Sequence, residues 1–403
     1  MLFRSAFKAP EGRGFTRALE RCVGMGKCRA ASGGTMCPSY RATGEERNST
    51  RGRARLLQEM LRGEVITDAW KSDAVRAALD LCFACKGCRS DCPTHTDLAS
   101  YKAEFLSHYY EDRPRPRQAL SMGLIQQWAA LAEHAPRVAN FFTQTPLLNA
   151  LAKKLAGVAP QRTMPAFATQ TFRQWFESRP PKQGGDRVIL WADTFSNHFN
   201  PTVAIAAVEV LEAAGCTVVI PQRGLCCGRP LYDFGLLDRA RQQLADILAA
   251  LKTEIAAGTP VIGLEPACLG TFKDELLNFF PDDPDAAKLA KQAVLFSDFL
   301  LTRSTWQPRA LDVKAIVHGH CHQKSLLGMT GETRLLKKLG VEFKLLDSGC
   351  CGMAGSFGFK PEHYEVSIAA GEKGGLLPAV RAAGADTLII SNGYSCREQI
   401  AQT

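Results

Sequence analysis

Four closely spaced cysteines constrain this chain more than any other feature. Their spacing is Cys-x2-Cys-x2-Cys-x3-Cys-Pro, in the stretch LCFACKGCRSDCPT, and the residues are Cys82, Cys85, Cys88, Cys92 and Pro93. This spacing lets three thiolates bind one cubane iron–sulfur cluster while the fourth reaches a different cluster. A structural zinc site needs only four ligands, which typically come as two separated pairs. The spacing therefore predicts an iron–sulfur cluster and one-electron chemistry.

An incomplete cysteine group precedes this run. Cys22, Cys28 and Cys37 are followed by Pro38, but Met25 stands where a complete run has its second cysteine. When two runs share two clusters, the last cysteine of each run ligates the other cluster. We therefore expect one complete site for a 4Fe-4S cluster, which consists of Cys37, Cys82, Cys85 and Cys88.

The three cysteines that remain, Cys22, Cys28 and Cys92, define a second site whose occupancy the sequence leaves open. This site can hold a three-iron cluster, a four-iron cluster with one ligand that is not cysteine, or nothing. In the last case Cys22 and Cys28 are buried thiols left from a lost site.

Cysteine usage also bears on the cellular compartment. The 403 residues include 15 cysteines, most of them at ligand-like spacings beside glycine or proline, whereas Cys216 is predicted to end a helix away from every motif. This usage indicates metal ligation in a reducing compartment. The N-terminal stretch MLFRSAFKAPEGRGF lacks the apolar core of a signal peptide, and no run of about 18 apolar residues is present. We expect a cytoplasmic protein without a transmembrane segment, either free or peripheral at the inner face of the membrane.

Positive charge is concentrated at the start of the chain. The net charge is +9, and residues 1–62 carry 13 Lys and Arg against five Glu. Three interpretations stay open: a solvated basic face, a docking surface for an acidic partner or a lipid surface, and tuning of an anionic cluster. Because no aromatic residues are interleaved with these charges, nucleic acid is not an expected partner.

The pattern of predicted elements divides the chain into four parts. Residues 1–110 contain seven cysteines and helical stretches, which predicts a small α-helical, ferredoxin-like domain built on metal. Residues 111–185 are proline-rich at both ends and are predicted to be a helical connector. Residues 186–300 and 301–403 alternate strands with helices, which predicts two α/β domains with mostly parallel sheets. The predicted fold class is multi-domain, α followed by α/β.

Some local elements can be placed from capping signals. Ser49 or Thr50 is expected to cap a helix that stops at Gly63, and a second helix is expected from Asp68 to Leu81. Near the end of the chain, HYEVSIAAGEKGGLLPAVRAAG is predicted to form one helix.

The two α/β parts repeat one another. Each contains a Cys-Cys-Gly triplet after its second predicted strand and a further cysteine at the start of a helix. The equivalent positions lie 124 to 128 residues apart and are Cys226 with Cys350, Cys227 with Cys351, Cys268 with Cys396, and Thr194 with Cys321. This regularity predicts an internal duplication, with two copies that form a pseudo-twofold pair and share an interface.

Four thiols are expected to converge in the second copy. Cys321, Cys350, Cys351 and Cys396 lie at predicted strand ends, and open α/β sheets place their sites at the carboxyl ends of strands. The glycine after the cysteine pair lets the backbone turn, so that two neighbouring thiols can face one centre. We therefore predict a metal or cluster site here.

The first copy departs from this pattern. It offers Cys226, Cys227 and Cys268, but Thr194 stands where the fourth thiol is expected. Asp193 is a candidate replacement, as a hard ligand. Whether this copy binds a metal stays open.

Three histidines surround Cys321 in HGHCHQK. If AIVHGHCH is a strand, as predicted, alternation places His318, His320 and His322 on one face. They can ligate metal or relay protons, but orientation of nearby thiolates through hydrogen bonds is the favoured role.

Other catalytic signatures are missing from the sequence. The glycine-rich stretch 349–358 does not match a phosphate-binding loop, and no nucleophile elbow occurs. We therefore predict no nucleotide site and no catalytic residue on this chain.

The cysteine runs and the duplicated Cys-Cys-Gly (CCG) parts resemble a family of iron–sulfur oxidoreductases. It includes glycolate oxidase iron–sulfur subunits, the iron–sulfur subunit of anaerobic glycerol-3-phosphate dehydrogenase, lactate-utilisation proteins and the cysteine-rich subunit of heterodisulfide reductase. A narrower resemblance is to the C-terminal half of FAD-linked D-2-hydroxyacid dehydrogenases of the D-2-hydroxyglutarate type. It rests on GTMCPSYRATGEERNSTRGRARLLQEML, LCCGRPLYDFGLLD, GLEPACL, HGHCHQKSLLGM, DSGCCGMAGSFGF and NGYSCREQI.

The resemblance implies an oxidoreductase component whose substrate site lies on another subunit or domain. FAD on that partner would oxidise a 2-hydroxy acid, and electrons would pass through this chain to a quinone or another acceptor. Because no flavin domain stands ahead of the matching region, we expect a split subunit or part of a fused protein. The family's CCG motifs hold clusters in some members and are thought to hold zinc in others, and Met25 and Thr194 depart from the full ligand pattern.

Two other functions stay open. One is a stand-alone disulfide or thiol reductase of the heterodisulfide reductase type, with a CCG-bound cluster as its catalytic centre. The missing thiol at Thr194 argues mildly against it. The other is a non-enzymatic metal or redox-sensing scaffold.

Overall fold

The computed structural model describes residues 14–180, 182, 184–303 and 305–403. The stretch on which the signal-peptide expectation rests lies almost wholly outside these residues. Within them, a helical part is followed by two parts that each contain a small parallel sheet, the order that the sequence predicts. None of the helices in these ranges has the length and apolar character needed to cross a membrane.

Short helices surround the first seven cysteines. Within residues 14–109 the α-helices are α1 (Gly14–Glu20), α2 (Pro38–Thr43), α3 (Thr50–Arg62), α4 (Asp73–Asp80), α5 (Gly87–Asp91) and α6 (Leu98–Tyr109). Three 3-10 helices lie between them, at Lys27–Arg29, Glu46–Asn48 and Ala69–Lys71. Apolar side chains of α1, α3, α4 and α6 pack into one core with Cys28, Cys37, Cys82 and Cys88. Four of the cysteines therefore form part of the core of this region.

The helix predicted after Ser49 is confirmed. Ser49 Oγ accepts a 2.9 Å hydrogen bond from Gly52 N, which satisfies one of the free N–H groups at the start of α3. The helix ends at Gly63, whose φ of 71° is a left-handed conformation that glycine adopts without steric cost.

The helix predicted from Asp68 to Leu81 is shorter than expected. Ala69 has a φ of 46°, which is incompatible with a right-handed helix. Ser72 then caps α4 by accepting a hydrogen bond from Val75 N, so the α-helix begins only at Asp73.

Five helices follow in the connector region. They are α7 (Arg117–Ser121), α8 (Ile125–Ala132), α9 (Pro136–Gln144), α10 (Pro146–Ala156) and α11 (Phe172–Ser178). Pro136 and Pro146 each begin a helix, since proline fits the first helical position. The helices α9 and α10 pack against each other, and neither buries a single residue.

The first α/β part is built on four parallel strands in the order β2-β1-β3-β4. The strands are β1 (Asp186–Trp191), β2 (Cys216–Val219), β3 (Val261–Gly263) and β4 (Ala293–Leu295). The helices are α12 (Thr194–His198), α13 (Pro201–Ala213), α14 (Arg229–Asp233), α15 (Leu237–Ala250), α16 (Lys252–Ala256), α17 (Pro266–Lys273), α18 (Glu275–Phe279), α19 (Pro284–Gln292) and α20 (Phe296–Leu301).

The second α/β part is built on three parallel strands in the order β6-β5-β7. The strands are β5 (Lys314–Val317), β6 (Glu342–Leu345) and β7 (Thr387–Ile390). The helices are α21 (Thr330–Lys338), α22 (Tyr364–Lys373), α23 (Leu376–Arg381) and α24 (Tyr394–Ala401), with a π-helix at Gln323–Leu327 and 3-10 helices at Phe357–Phe359 and Pro361–His363.

Both sheets change winding direction at their first strand. In each, the second strand pairs with one edge of the first, and the third strand pairs with the other edge. The loops that leave the carboxyl ends of these strands diverge and create a crevice, which is where open α/β sheets bind ligands. The CCG triplets and their partner cysteines lie in these loops or in the first turns that follow them.

Two local predictions were wrong. Cys216 does not end a helix but begins β2, where it pairs with Asp186 and is fully buried. The single helix predicted over residues 363–384 is two helices, because Gly375 has a φ of 85° and interrupts the helix between α22 and α23.

Candidate metal centres

Cys37, Cys82, Cys85 and Cys88 line one cavity, although Cys37 is 45 residues from the nearest of the other three. We call them the four-cysteine site. All four are buried, with 6% to 8% of each residue exposed, and none forms a disulfide. The structure therefore brings together the four residues predicted to hold one cluster.

Left-handed backbone conformations shape this site. Cys37, Ala84 and Lys86 have φ values of 52°, 50° and 59°. Such conformations cost residues other than glycine about 1–2 kcal/mol each, so the surrounding structure must enforce them. The bends at Ala84 and Lys86 flank Cys85, and the thiols of Cys82, Cys85 and Cys88 face the same cavity.

Backbone N–H groups point at the sulfur atoms. Thr50 N donates to Cys37 Sγ over 3.1 Å, and Leu98 N donates to Cys88 Sγ over 3.3 Å. Burial raises the pKa of Cys85 and Cys88, so these thiols are neutral unless a bound cation or cluster compensates their charge. Buried, disulfide-free thiols with N–H donors fit an iron–sulfur cluster, whose sulfur ligands accept such hydrogen bonds.

Cys22, Cys28 and Cys92 line a second cavity, together with Met25. We call them the three-cysteine site. Met25 is 65% exposed, so this site lies at the surface. The neighbouring Cys37 thiol lowers the pKa of Cys28 to about 6, so the two sites adjoin.

The four cysteines predicted in the second copy also meet. Cys321 opens the helical segment after β5, Cys350 and Cys351 follow β6, and Cys396 lies in the first turn of α24 after β7. All four belong to one buried cluster, where Cys350 lowers the pKa of Cys321 to about 6, and Cys350 and Cys396 lower the pKa of Cys351. We call this set the second CCG site; its members are at most 4% exposed.

Gly352 allows the turn that brings the two adjacent cysteines to this site. Its φ is 98°, and a Cβ atom there would lie 2.0 Å from the carbonyl oxygen of Ser367. Gly352 N also lies 3.4 Å from Cys350 Sγ. Any other residue at this position would have to displace the backbone, as the role inferred for glycine from the sequence requires.

His318 adds a fifth group to the second CCG site. A ring nitrogen of His318 and the sulfur atoms of Cys351 and Cys396 all lie within 4.8 Å of one another. Nδ1 is 2.6 Å from Ser348 Oγ, whereas Nε2 is buried and has no hydrogen-bond partner. An imidazole that is fixed through one nitrogen and free at the other is suited to orient thiolates or to ligate a metal.

The other two histidines do not share a face with His318, so this prediction was wrong. The strand β5 ends at Val317, and the histidines follow it in a loop and a helical turn, where alternation no longer applies. The His320 ring packs against Gly393, where a Cβ atom would lie 2.1 Å from it. His322 Nε2 lies 3.0 Å from the carbonyl oxygen of Ala84.

The first copy brings three thiols together. Cys226, Cys227 and Cys268 are buried and line one cavity together with Thr194. We call Cys226, Cys227 and Cys268 the first CCG site. Thr194 thus occupies the position equivalent to Cys321 in space as well as in sequence.

Asp193 has another role at this position. Its Oδ1 accepts hydrogen bonds from Phe195 N (2.9 Å) and Ser196 N (3.0 Å), and its Oδ2 accepts one from Ser196 Oγ, which caps α12. Burial, together with the nearby charge of Glu265, raises the pKa of Asp193 to about 6. The carboxylate is committed to its own helix rather than free to replace the missing thiol.

The four-cysteine site and the second CCG site share one apolar core. Cys85 and Cys321 belong to the same buried cluster, and the Phe83 ring stacks on Phe357 with centroids 3.9 Å apart. After burial, the charge of Cys321 is the next largest contribution to the raised pKa of Cys85. Sequence reasoning missed this proximity, because no local pattern reports contacts across more than 200 residues.

A large open cavity, with about 1340 Å³ of empty space, reaches both CCG sites. Its walls include Cys227 of the first site and Cys321 of the second, and much of the remainder is apolar. Phe195 and Tyr394, one from each α/β part, stack there with ring centroids 4.5 Å apart. An apolar cavity with a few polar groups such as His320 is typical of a small-molecule site.

A buried ion cluster joins the cysteine run to the first α/β part. Lys86 is fully buried, and its Nζ lies 2.8 Å from carboxylate oxygens of Asp97 and Asp274 and 3.0 Å from Glu275. Arg229 pairs with Glu275 at 2.6 Å. Since a buried charge is costly unless it is paired, this cluster fixes the orientation of the run against the α/β part.

Matches to known families agree with this architecture. Residues 18–96 match the family described as 4Fe-4S dicluster domain, and residues 193–273 and 317–400 match the family described as cysteine-rich domain (CCG). No solved structure matches the chain significantly. The thiol sites and these matches define an iron–sulfur protein of the oxidoreductase class.

Curated relatives show which iron–sulfur oxidoreductases this chain is similar to. One subunit of the anaerobic glycerol-3-phosphate dehydrogenase from Escherichia coli (strain K12) is 29% identical over 60% of this chain and 61% of its own length. D-2-hydroxyglutarate dehydrogenase from the same strain is 24% identical over 95% of this chain but only 42% of its own length. Lactate utilization protein A from Bacillus velezensis is 32% identical over 43% of this chain and 75% of its own length. The chain belongs to the iron–sulfur, CCG-domain oxidoreductase family, and it spans less than two thirds of the first two relatives.

Proposed function

We propose that this chain is the iron–sulfur electron-transfer component of a flavin-dependent 2-hydroxyacid dehydrogenase. It receives electrons from FAD on a partner subunit or domain and delivers them to a quinone or another acceptor. The observation that carries this proposal is the proximity of Cys85 and Cys321, members of two thiol sites that share one core. The glycolate oxidase iron–sulfur subunit of Escherichia coli (strain K12), which is 26% identical over 84% of this chain and 80% of its own length, supports the same role.

The ligand sets proposed from the sequence are retained. One cluster is assigned to Cys37, Cys82, Cys85 and Cys88, a second centre to Cys22, Cys28 and Cys92, and a cluster or metal to Cys321, Cys350, Cys351 and Cys396. Cys226, Cys227 and Cys268 form a further candidate site. When bound, a 4Fe-4S cluster exchanges one electron at a time.

The residues of the chain set the position and the potential of such a group. Buried thiols exclude water, and the N–H groups of Thr50 and Leu98 stabilise negative charge on their sulfur partners. Hydrogen bonds to sulfur and low solvent exposure are the two protein features that tune cluster potentials.

We infer that the four parts expected from the sequence are the structural units of the chain: residues 1–110, 111–185, 186–300 and 301–403. The two α/β units are proposed to derive from a duplication. Support comes from the two matches to one family and from the shared strand order around β1 and β5.

The flavoprotein is proposed to dock near the three-cysteine site. This site lies at the surface, and Arg51, whose guanidinium is 3.5 Å from Gly24 O, adds positive charge beside Cys22. Residues 14–62 contain ten Lys and Arg against four Glu, a surplus of positive charge that would attract an acidic partner. The 2-hydroxy acid site is assigned to that partner, because the D-2-hydroxyglutarate dehydrogenases are more than twice as long as their matched part.

Purification of the tagged full chain from its own cells, without oxygen, tests this function. We expect FAD to co-purify, and a 2-hydroxy acid from a panel to bleach the iron–sulfur absorbance of the complex. The variant Cys85→Ser should retain FAD but lose the bleaching. If reduced chain alone turns over disulfides, and no flavoprotein reduces it, the thiol reductase alternative replaces this proposal.

A further inference from the structure

One surface of the connector is unusually apolar. Nine of the fifteen large apolar side chains that are exposed in the described residues lie between residues 120 and 155. They are Leu120, Trp128, Leu131, Val138, Phe141, Phe142, Leu147, Leu151 and Leu155. We call this surface the connector patch. Leu147 is 87% exposed, and exposed apolar side chains concentrated in one part of a protein surface mark an interaction site.

Two short helices, α9 and α10, carry most of the connector patch. They are separated by Thr145 alone and bury none of their residues. A helix that buries no apolar side chain gains little stability from its own packing, since short helices are marginal in water. The large apolar side chains that α9 and α10 expose are not covered by any other part of the described chain.

The charges around the patch have one sign. Residues 134–160, which include α9 and α10, contain three Lys and Arg and no Asp or Glu. Arg137 and Lys154 are exposed beside the apolar side chains. The acidic residue that directly precedes this stretch, Glu133, lies 3.5 Å from His198 Nδ1. Apolar side chains with cationic neighbours and no acidic ones match the interface of a bilayer that contains anionic lipids.

The segments on either side of the connector patch line the large cavity. The cavity between the CCG sites is lined by Met122 and Ile125, which precede or begin α8, and by Met164, Pro165 and Phe167, which follow α10. Both ends of the helical segment that bears the patch therefore form part of the cavity wall. A molecule dissolved in the apolar layer under the patch would have a short path to the thiols.

We propose that the connector patch docks the protein on the surface of an anionic lipid bilayer, with α9 and α10 lying in the interface. The docked orientation places the cavity next to the membrane, so a lipid-soluble quinone reaches the CCG sites without crossing water. This second part rests on the proposed function, whereas docking itself does not.

Vesicle flotation with the full iron-loaded chain tests the docking. We expect the protein to float with vesicles of phosphatidylglycerol and phosphatidylcholine, and to float about tenfold less with phosphatidylcholine alone. Leu147→Asp combined with Leu151→Asp should abolish flotation. Arg137→Gln combined with Lys154→Gln should weaken it about tenfold, which provides a second variant pair that leaves the apolar side chains intact.

A matched control uses apolar side chains exposed elsewhere. Val65→Asp combined with Leu311→Asp, at positions 77% and 44% exposed, should float like the wild type. The proposal is overturned if the wild type does not float with anionic vesicles, or if the control pair loses flotation equally. It is also overturned if, without lipid, the chain forms a dimer that the Leu147 and Leu151 substitutions dissociate.

Failure of docking and failure of the proposed function give different results. A chain that floats but is reduced by no flavoprotein retains the docking surface and loses the dehydrogenase role. A chain that is reduced by its flavoprotein but does not float retains that role and loses the docking surface.

Discussion

Arg229 Nη2 donates a 2.8 Å hydrogen bond to the carbonyl oxygen of Ala84, which lies inside the cysteine run between Cys82 and Cys85. His322 Nε2 is 3.0 Å from the same oxygen. One carbonyl group is therefore held by both α/β parts at once. Because Ala84 is in a left-handed conformation, these two contacts help to fix the bend on which the four-cysteine site depends.

Replacement of Arg229 should strongly destabilise the fold. Arg229→Met removes the donor to Ala84 and the cation that lies 2.6 Å from Glu275 and 3.0 Å from Asp233, so that Glu275 keeps only Lys86 and Asp233 loses its ion pair. We expect a loss of about 3–5 kcal/mol in the free energy of unfolding, measured by urea titration without oxygen. The control Arg381→Met breaks an ion pair with a guanidinium that is 56% exposed, and it should destabilise the fold far less. Equal losses would contradict the assigned role of Arg229.

The ligand assignment predicts a contrast between two buried cysteines. Cys85→Ser should remove the main cluster, so that iron falls by about four atoms per chain and the N-terminal helices lose stability. Cys216→Ser should leave the iron content unchanged, since Cys216 lies in β2 outside the thiol sites. Iron and sulfide analysis of both variants checks this, and equal iron loss would refute the assignment.

Met25 offers a gain-of-ligand test. It lines the same cavity as Cys22, Cys28 and Cys92, at the position where a complete run has cysteine. Met25→Cys should complete a second four-cysteine set and bring the iron content to about eight atoms per chain. EPR of the reduced variant should then show interaction between two neighbouring clusters. Iron content unchanged from a wild-type value of about four would contradict the three-cysteine site.

His198 makes the stability depend on pH. Burial lowers its pKa to about 4, and Asn197 Nδ2 lies 3.0 Å from Nε2, an acceptor only in the neutral ring. In the unfolded chain this histidine has its ordinary pKa of about 6.5, so as the pH falls the unfolded state binds the proton first. The contribution of His198 to stability is therefore complete above pH 6.5 and is lost as the pH falls towards 4. Between pH 7 and pH 5 His198 should contribute a loss of about 2 kcal/mol to the change measured by urea titration. His198→Gln should remove this loss, and the control His134→Gln, at an exposed histidine, should retain it.

The sequence predicted those features that depend on residues close together in the chain. Cysteine spacing identified the four thiols at Cys37, Cys82, Cys85 and Cys88, and capping chemistry located α3, because each signal lies within a few residues of its effect. The repeat of the CCG triplets likewise predicted which thiols meet at the strand ends.

Contacts between distant segments could not be predicted in this way. Nothing in the local sequence distinguishes Lys86 from a surface lysine. It is nevertheless fully buried, because carboxylates that lie 11 to 189 residues away along the chain surround it. The prediction that the histidines around Cys321 share one face was wrong for a related reason. The strand β5 ends one residue before His318, so the packing of the loop determines where each ring lies. The cavity between the CCG sites arises from two separate sheets, so no single stretch of sequence encodes it.

Iron and acid-labile sulfide per chain, with EPR before and after dithionite, test the central claim most directly. The measurement uses full-length protein purified without oxygen. We predict at least four iron and four sulfide atoms per chain. We also predict a reduced-state EPR signal from a 4Fe-4S cluster, and the substitution Cys85→Ser should abolish this signal. Near-zero iron with stoichiometric zinc in a folded, stable chain would contradict it.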